Sequence, residues 1–227
     1  MLTILWSAIT IGSFFLARRL FLRVRLPVLH PGLMGIFGVV ALLELTGHTY
    51  AAYWKETHWI NWLLGPAVVA MAVPIYQLRA LVRANLRTLL VVVAGSLLLA
   101  VVSMGTMLLL LRFPKEVLAA GTLKSITSPV AHVLAVEGGV SDPAAMAGVM
   151  LAGMLGASVG PAVLRLLRVR DERAVGLAMG CVCHGIGVGR AMEISTAAGA
   201  FASLGMSGTA MLGATVLPYV LRWIVSG

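Results

Sequence analysis

Thr88-Leu89-Leu90-Val91-Val92-Val93-Ala94-Gly95-Ser96-Leu97-Leu98-Leu99-Ala100-Val101-Val102-Ser103-Met104-Gly105-Thr106-Met107-Leu108-Leu109-Leu110-Leu111 is an uncharged run, and its reading decides the fold. Wound as a helix it crosses the hydrocarbon of a bilayer, for which about 20 apolar residues suffice. Residues 1–17, 26–43, 59–78, 143–164 and 195–221 meet that length or come near it. Two shorter apolar pieces remain, residues 125–136 and 174–189. The pattern predicts an all-α, polytopic transmembrane helix bundle with about six full spans and two re-entrant or broken-helix segments. One integral membrane domain over residues 1–227 is expected.

Composition leads to the same place. Of the residues, 60% are apolar and 11% charged, with a mean hydropathy of +1.00. A water-soluble surface does not tolerate that proportion, whereas lipid accepts apolar faces on every helix. Soluble enzymes and nucleic-acid modules are thereby excluded. The net charge of +9 does not reopen the question, because eleven of the 17 Lys and Arg residues fall in three short clusters. These are Arg18, Arg19, Arg23 and Arg25; Arg79, Arg83 and Arg87; and Arg165, Arg168, Arg170 and Arg173. Each follows an apolar stretch, which is the positive-inside pattern of cytoplasmic loops, so no nucleic-acid partner is expected. Residues 1–17 carry their arginines after the apolar run, where a secretory signal carries them before, and read as a retained first helix with an outward amino terminus.

With the three clusters inside, the crossings count correctly only if residues 125–136 do not cross. That piece packs Ser125, Thr127, Ser128 and Pro129 together, so an uninterrupted helix is not available to it. Irregular backbone at membrane depth survives only against protein or water, which makes the piece a candidate wall of a polar pathway. The chain also repeats weakly. Leu64-Gly65-Pro66-Ala67-Val68 recurs as Val159-Gly160-Pro161-Ala162-Val163, and Met104-Gly105-Thr106 resembles Ser207-Gly208-Thr209. Repeat halves of about 59–137 and 143–227 are suggested, as in secondary transporters; the alternative is chance recurrence of a common Gly-Pro pair. The charge count makes the two Gly-Pro helices parallel, whereas many transporters invert the second half.

Two segments can carry chemistry. In Lys124-Ser125-Ile126-Thr127-Ser128-Pro129-Val130-Ala131, hydroxyls, a cation and amides freed at Val130 and Ala131 by Pro129 suit an anion. The bland reading is that Ser128 caps an ordinary helix and Lys124 snorkels. In Gly180-Cys181-Val182-Cys183-His184-Gly185-Ile186-Gly187-Val188-Gly189-Arg190-Ala191-Met192-Glu193, glycines expose backbone while His184, Arg190 and Glu193 stand in an apolar setting, where ionisable groups are costly unless functional or paired. Arg190 suits a carboxylate, and a histidine such as His184 titrates near neutrality and suits proton coupling, with Glu193 as a second candidate. Glu193 also stands three residues after Arg190, where the two form a structural pair on a helix.

No metal or cofactor is expected. Cys181 and Cys183 are one residue closer than the usual paired-thiolate spacing, and buried cysteines are more often small apolar fillers. His48 and His58, beside Lys55 and Glu56, suit a solvated outer loop. No phosphate loop occurs, and no enzymatic activity is expected.

At these segments the chain resembles the LrgB/CidB family, first described as antiholin-like or murein-hydrolase regulators. The resemblance rests on Leu64-Gly65-Pro66-Ala67 with Ala72-Val73-Pro74-Ile75-Tyr76, on Lys124 to Ala131, and on His184-Gly185-Ile186-Gly187 with Arg190-Ala191. It covers most of the chain. The family usually has Thr-Ala at Val188-Gly189 and a small or hydroxylated residue at Cys183. The resemblance implies a carrier of small monocarboxylates, since plant relatives carry glycolate and glycerate and bacterial ones are linked to pyruvate. It also implies a small LrgA/CidA-like membrane partner and a bacterial inner-membrane setting.

The leading expectation is a carrier for a 2-hydroxy or 2-oxo acid working by alternating access. Lys124, Ser125, Thr127, Ser128 and Pro129 would supply one half of the site, and His184, Gly185, Gly187 and Arg190 the other. The rival is a non-transporting regulator acting through membrane partners. Met150, Ala152, Gly153, Gly156, Ala157 and Gly160 form a small-residue face that suits a homo-oligomer or an internal bundle equally.

Overall fold

The computed structural model describes residues 2–24, 31–63, 65, 66, 69, 72–77 and 79–226. Arg25, residues 26–30, and Leu64, Ala67, Val68 and Leu78 of the quoted stretches lie outside the described residues. The chain forms two compact units, Met1–Val68 and Val69–Gly227.

The first unit holds α1 (Leu2–Val24), α2 (Pro31–Thr46), α3 (Tyr50–Thr57) and α4 (Trp59–Trp62). Helices α1 and α2 pack around Trp6, Val39 and Leu43. Thr49 caps α3 by accepting from Ala52 N at 3.3 Å, and Trp59 Nε1 donates to Ser7 Oγ at 3.0 Å. His48 meets Trp6 edge to face, and His58 Nδ1 lies 2.9 Å from the Lys55 carbonyl. Among the described residues neither histidine forms an ion pair.

The second unit comprises α5 (Ala72–Gln77), α6 (Arg79–Ala84), α7 (Leu86–Leu110), α8 (Lys115–Thr122), a 3-10 turn (Leu123–Ser125), α9 (Ser128–Glu137), α10 (Asp142–Leu166), α11 (Glu172–Ile194) and α12 (Thr196–Ser226). Among the described residues there is no strand. Five helices, α1, α7, α10, α11 and α12, have the length and apolarity to cross a membrane. The described residues leave the expected count of six full spans untested: α2 is 16 residues long, and the expected span 59–78 lies partly outside them.

Helix α11 does not run straight. His184 has φ 51 and ψ −136 inside it, and the chain folds back there. Ser195 Oγ donates to Glu172 Oε2 at 2.7 Å, whereas a straight helix would hold those residues about 35 Å apart. A methyl group on Gly187 would collide with the Met179 carbonyl oxygen, so the second arm, residues 185–194, lies on the first, residues 172–183. Residues 174–189, expected to be re-entrant or broken, are thus part of a re-entrant hairpin rather than a crossing.

Lys115 to Glu137 form a second hairpin. Gly121 of α8 packs on Leu108 and Met104, so α8 runs back along the end of α7. Ile126 (φ −131, ψ 166) and Thr127 (φ −68, ψ 145) are extended and break the helix. Then α9 returns, tied to the start of α10 by His132 Nδ1 and Asp142 Oδ1 at 2.9 Å. Gly139, at φ +64, makes the turn between them. The segment enters and leaves at one end, so residues 125–136 do not cross, as the charge count requires.

The two hairpins come from opposite ends. Down α12, Ala198 and Ala202 meet Gly176 and Gly180 of the first arm of α11, and Gly213 then meets Ile126 at the tip of the other hairpin. Near the top of this path Leu89 of α7 joins Leu177 and Phe201, and Arg173 covers the Phe201 ring. The clusters Arg79/Arg83/Arg87 and Arg165/Arg168/Arg170/Arg173 therefore share one end of the unit, which the positive-inside rule assigns to the cytoplasm.

An inverted repeat follows. Helices α7 and α10 are each 25 residues long and run in opposite directions. Each ends on an arginine of positive φ, Arg112 (φ 55) and Arg168 (φ 60). There the chain wraps the helix end with Phe113 N donating to Leu108 O at 3.0 Å and Val169 N to Leu164 O at 2.9 Å. Each then enters a re-entrant hairpin. This register differs from that of the Gly-Pro match, whose first copy lies partly outside the described residues.

Candidate functional site

The hairpins meet tip to tip. His184 Nε2 lies 3.0 Å from the carbonyl oxygen of Lys124. A carbonyl only accepts, so Nε2 carries the hydrogen, and in the neutral ring Nδ1 is left as an acceptor. His184 is 3% exposed, and its Nδ1 has no hydrogen-bond partner. Ser125, 5% exposed, likewise has an unpartnered Oγ. An orphaned buried polar atom costs about 1–3 kcal/mol, so the tips hold unused bonding capacity.

Local sequence explains the geometry. Thr127, extended, is the N-cap of α9, and Pro129 falls in the first turn, where no helix hydrogen bond is lost. The expectation of free amides at Val130 and Ala131 is corrected: both donate to the Thr127 carbonyl, at 3.1 and 3.0 Å. A helix opening at Ser128 presents that oxygen to its third and fourth residues, so Pro129 frees neither. Thr127 is buried, and Ser128 and Pro129 are partly so. The cap is Thr127, not Ser128, and its side chain makes no capping bond.

Lys124 is half-buried, its Cβ facing Gly148 of α10 at a distance that a methyl there would close to 3.5 Å. Among the described residues the ion pairs are His132–Asp142 and Arg190–Glu193, and Lys124 belongs to neither. Arg190 stands six positions beyond the tip, is exposed, and bonds Glu193, as the structural-pair reading anticipates. Gly185 and Gly187 follow the turn, and at Gly187 backbone lies where a Cβ would go.

The small residues of α10 are spent internally. Gly153 faces Ile186, Gly156 faces Cys183 and Gly160 faces Met179, so these glycines seat α11 rather than a second copy. Gly156-Ala157-Ser158-Val159-Gly160 also spells G-x-S-x-G, but inside a helix with no strand before it, so it is not a nucleophile elbow. Cys181 and Cys183 are buried free thiols, and no group of metal-ligating side chains is found among the described residues. A cleft of about 450 Å³ lined by Leu134, Glu137, Pro218 and Arg222 lies at the base of the α8–α9 hairpin, away from the tips.

Sequence reasoning did not single out Ser207. This residue of α12 is 3% exposed with an unpartnered Oγ, and one hydroxyl among the several of an apolar helix gives no signal by spacing.

Comparison with known proteins adds the following. The model of the LrgB-like family matches residues 10–223. The holin-like protein CidB of Staphylococcus aureus is 28% identical over 218 residues, 96% of this chain and 95% of that one. An uncharacterized protein of Haemophilus influenzae is 32% identical over 221 residues, 97% and 95% of the two chains. The uncharacterized protein YxaC of Bacillus subtilis is 32% identical over 216 residues, 95% and 94% of the two chains. No solved structure matches the chain.

Proposed function

The chain belongs to the LrgB-like family, a multi-pass membrane protein, and from that premise we propose that it is a carrier of small monocarboxylates in the bacterial inner membrane. The observation that carries this reading is the meeting of His184 with Lys124 at the tips of two hairpins from opposite ends. Inverted repeats with broken backbone near the midplane are the architecture of alternating-access carriers, whose sites lie at the repeat interface. An unpaired cation beside an orphaned hydroxyl and an orphaned imidazole nitrogen suits a carboxylate that brings its own polar group. Lys124 supplies charge, Ser125 and Thr127 hydroxyls, and His184 an acceptor that becomes a donor on protonation, which couples transport to protons. Glycolate, glycerate, lactate and pyruvate are the class in view. Arg190, with Glu193, acts from the second arm rather than at the tips.

A second reading is favoured by the name of the staphylococcal relatives, holin-like protein CidB. In it the chain is an antiholin-like regulator of murein hydrolase activity and lysis, working with a small LrgA/CidA-like membrane protein. Uptake of those four acids into proteoliposomes, with and without a pH gradient, separates the two. Saturable uptake with counterflow supports the carrier. Folded protein that transports none of them, alone or with the partner, supports the regulator.

A further inference from the structure

Gly148 differs from the other glycines of α10, each of which seats α11. A methyl group on it would lie 3.5 Å from Lys124 Cβ, an ordinary contact, and outside its own helix would meet nothing else within 4 Å among the described residues. Open space therefore adjoins the stem of the lysine. Gly148 and Lys124 are both partly exposed, whereas Ala145 and Val149, on the inner side of α10, are 0% and 3% exposed.

The same face of α10 runs from one tip to the other. Ala152 stands one turn beyond Gly148 and one turn before Gly156, and residues four apart share a helix face. Gly148 faces Lys124 of one hairpin, and Gly156 faces Cys183 of the other. The residues next in the chain to those two contacts, Ser125 and His184, carry the buried polar atoms without a partner. A ligand that bonds Lys124 and either of those atoms lies beside the strip from Gly148 to Ala152. Ala152 is partly exposed, as a lining residue must be.

We propose that Gly148 and Ala152 determine which acids the carrier accepts: they are the α10 wall of the site, and the side-chain volume they lack is the room taken by a third carbon. This rests on the carrier reading. Glycolate has no third carbon, whereas lactate, pyruvate and glycerate each have one. Size exclusion acts strongly at this scale, because one methylene more or less in a pocket changes discrimination by about tenfold to two-hundredfold.

The test uses the full chain in proteoliposomes with labelled glycolate, glycerate, lactate and pyruvate. Gly148→Ala is expected to raise KM by about tenfold for the three-carbon acids that the wild type carries and by less than about twofold for glycolate, with maximal rates little changed. Ala152→Val should act in the same direction and more strongly. Gly148→Ala should melt no lower than the wild type, because alanine replaces glycine inside a helix and its methyl makes an ordinary contact. A position that only packs the bundle would change all the acids alike. Three results overturn the assignment and leave the carrier reading standing: KM ratios among the acids that Gly148→Ala leaves unchanged, an equal loss for glycolate and the three-carbon acids, or a wild type that carries glycolate alone. Absence of wild-type transport overturns both.

Discussion

His184 Nε2 and the carbonyl oxygen of Lys124, 60 positions apart in the chain, lie 3.0 Å from each other. The bond joins the turn of one hairpin to the turn of the other, and it uses backbone on one side only. The lysine side chain forms no ion pair among the described residues.

That freedom makes Lys124 the first residue to test. Lys124→Ala removes a charged hydrogen-bond donor, worth about 1.5–3 kcal/mol, and should weaken carboxylate uptake by roughly tenfold to a hundredfold. Lys124→Arg should retain part of the activity. Full uptake by Lys124→Ala would remove the lysine from the site.

His184 occupies φ 51 and ψ −136, a region that glycine enters and side chains resist, at roughly 1–3 kcal/mol. His184→Gly relieves that strain while giving up one hydrogen bond, so it should melt close to the wild type and fail in uptake. His184→Ala keeps the strain, loses the bond and should melt lower. Equal melting temperatures for the two variants would argue against a strained turn.

The first arm of α11 lies backbone to backbone on α12. A Cβ at Gly180 would fall on the Ala202 carbonyl oxygen, while Gly189 on the second arm has open space. Gly180→Ala should cost about 1–3 kcal/mol or more through overpacking, and Gly189→Ala should be neutral or slightly stabilising, as Ala replaces Gly in a helix. Thermal melts in detergent read both.

The hairpin path is tested by labelling. Cysteine variants Phe113→Cys and Ser141→Cys, both outside the helices, should react with a membrane-impermeant thiol reagent from the same side. Cys181 and Cys183 are buried and contribute little background. Reaction from opposite sides would mean that residues 115–137 cross the membrane.

Hydropathy and charge placement made much of this architecture legible. Arginine clusters on one end force residues 125–136 to turn back, and Ser125, Thr127 and Pro129 show where the helix fails. Lys124 and His184 stood out because ionisable groups are costly in lipid. The inverted repeat did not, because it resides in the path of the chain, 25-residue helices leading into hairpins, and the Gly-Pro match points to a different register. Arg190 read as a ligand because spacing does not reveal how far from the turn it sits, whereas its pairing with Glu193 was a matter of simple helix geometry. Val130 and Ala131 were misjudged because the first turn of α9 supplies its own acceptor at Thr127. Ser207 was invisible because only the tertiary structure distinguishes an unbonded hydroxyl from its neighbours.

The bond from Ser195 to Glu172 closes the α11 hairpin at its base, and it bears on how the protein is made. Arms of ten to twelve residues extend only about 15–18 Å, too little to lodge in lipid unaided. Their bed is α12, which the ribosome delivers after them. The nascent hairpin must therefore wait near the membrane surface until that helix arrives. The two tips are brought together late in synthesis, so a chain interrupted before α12 contains every residue of the tips and no site.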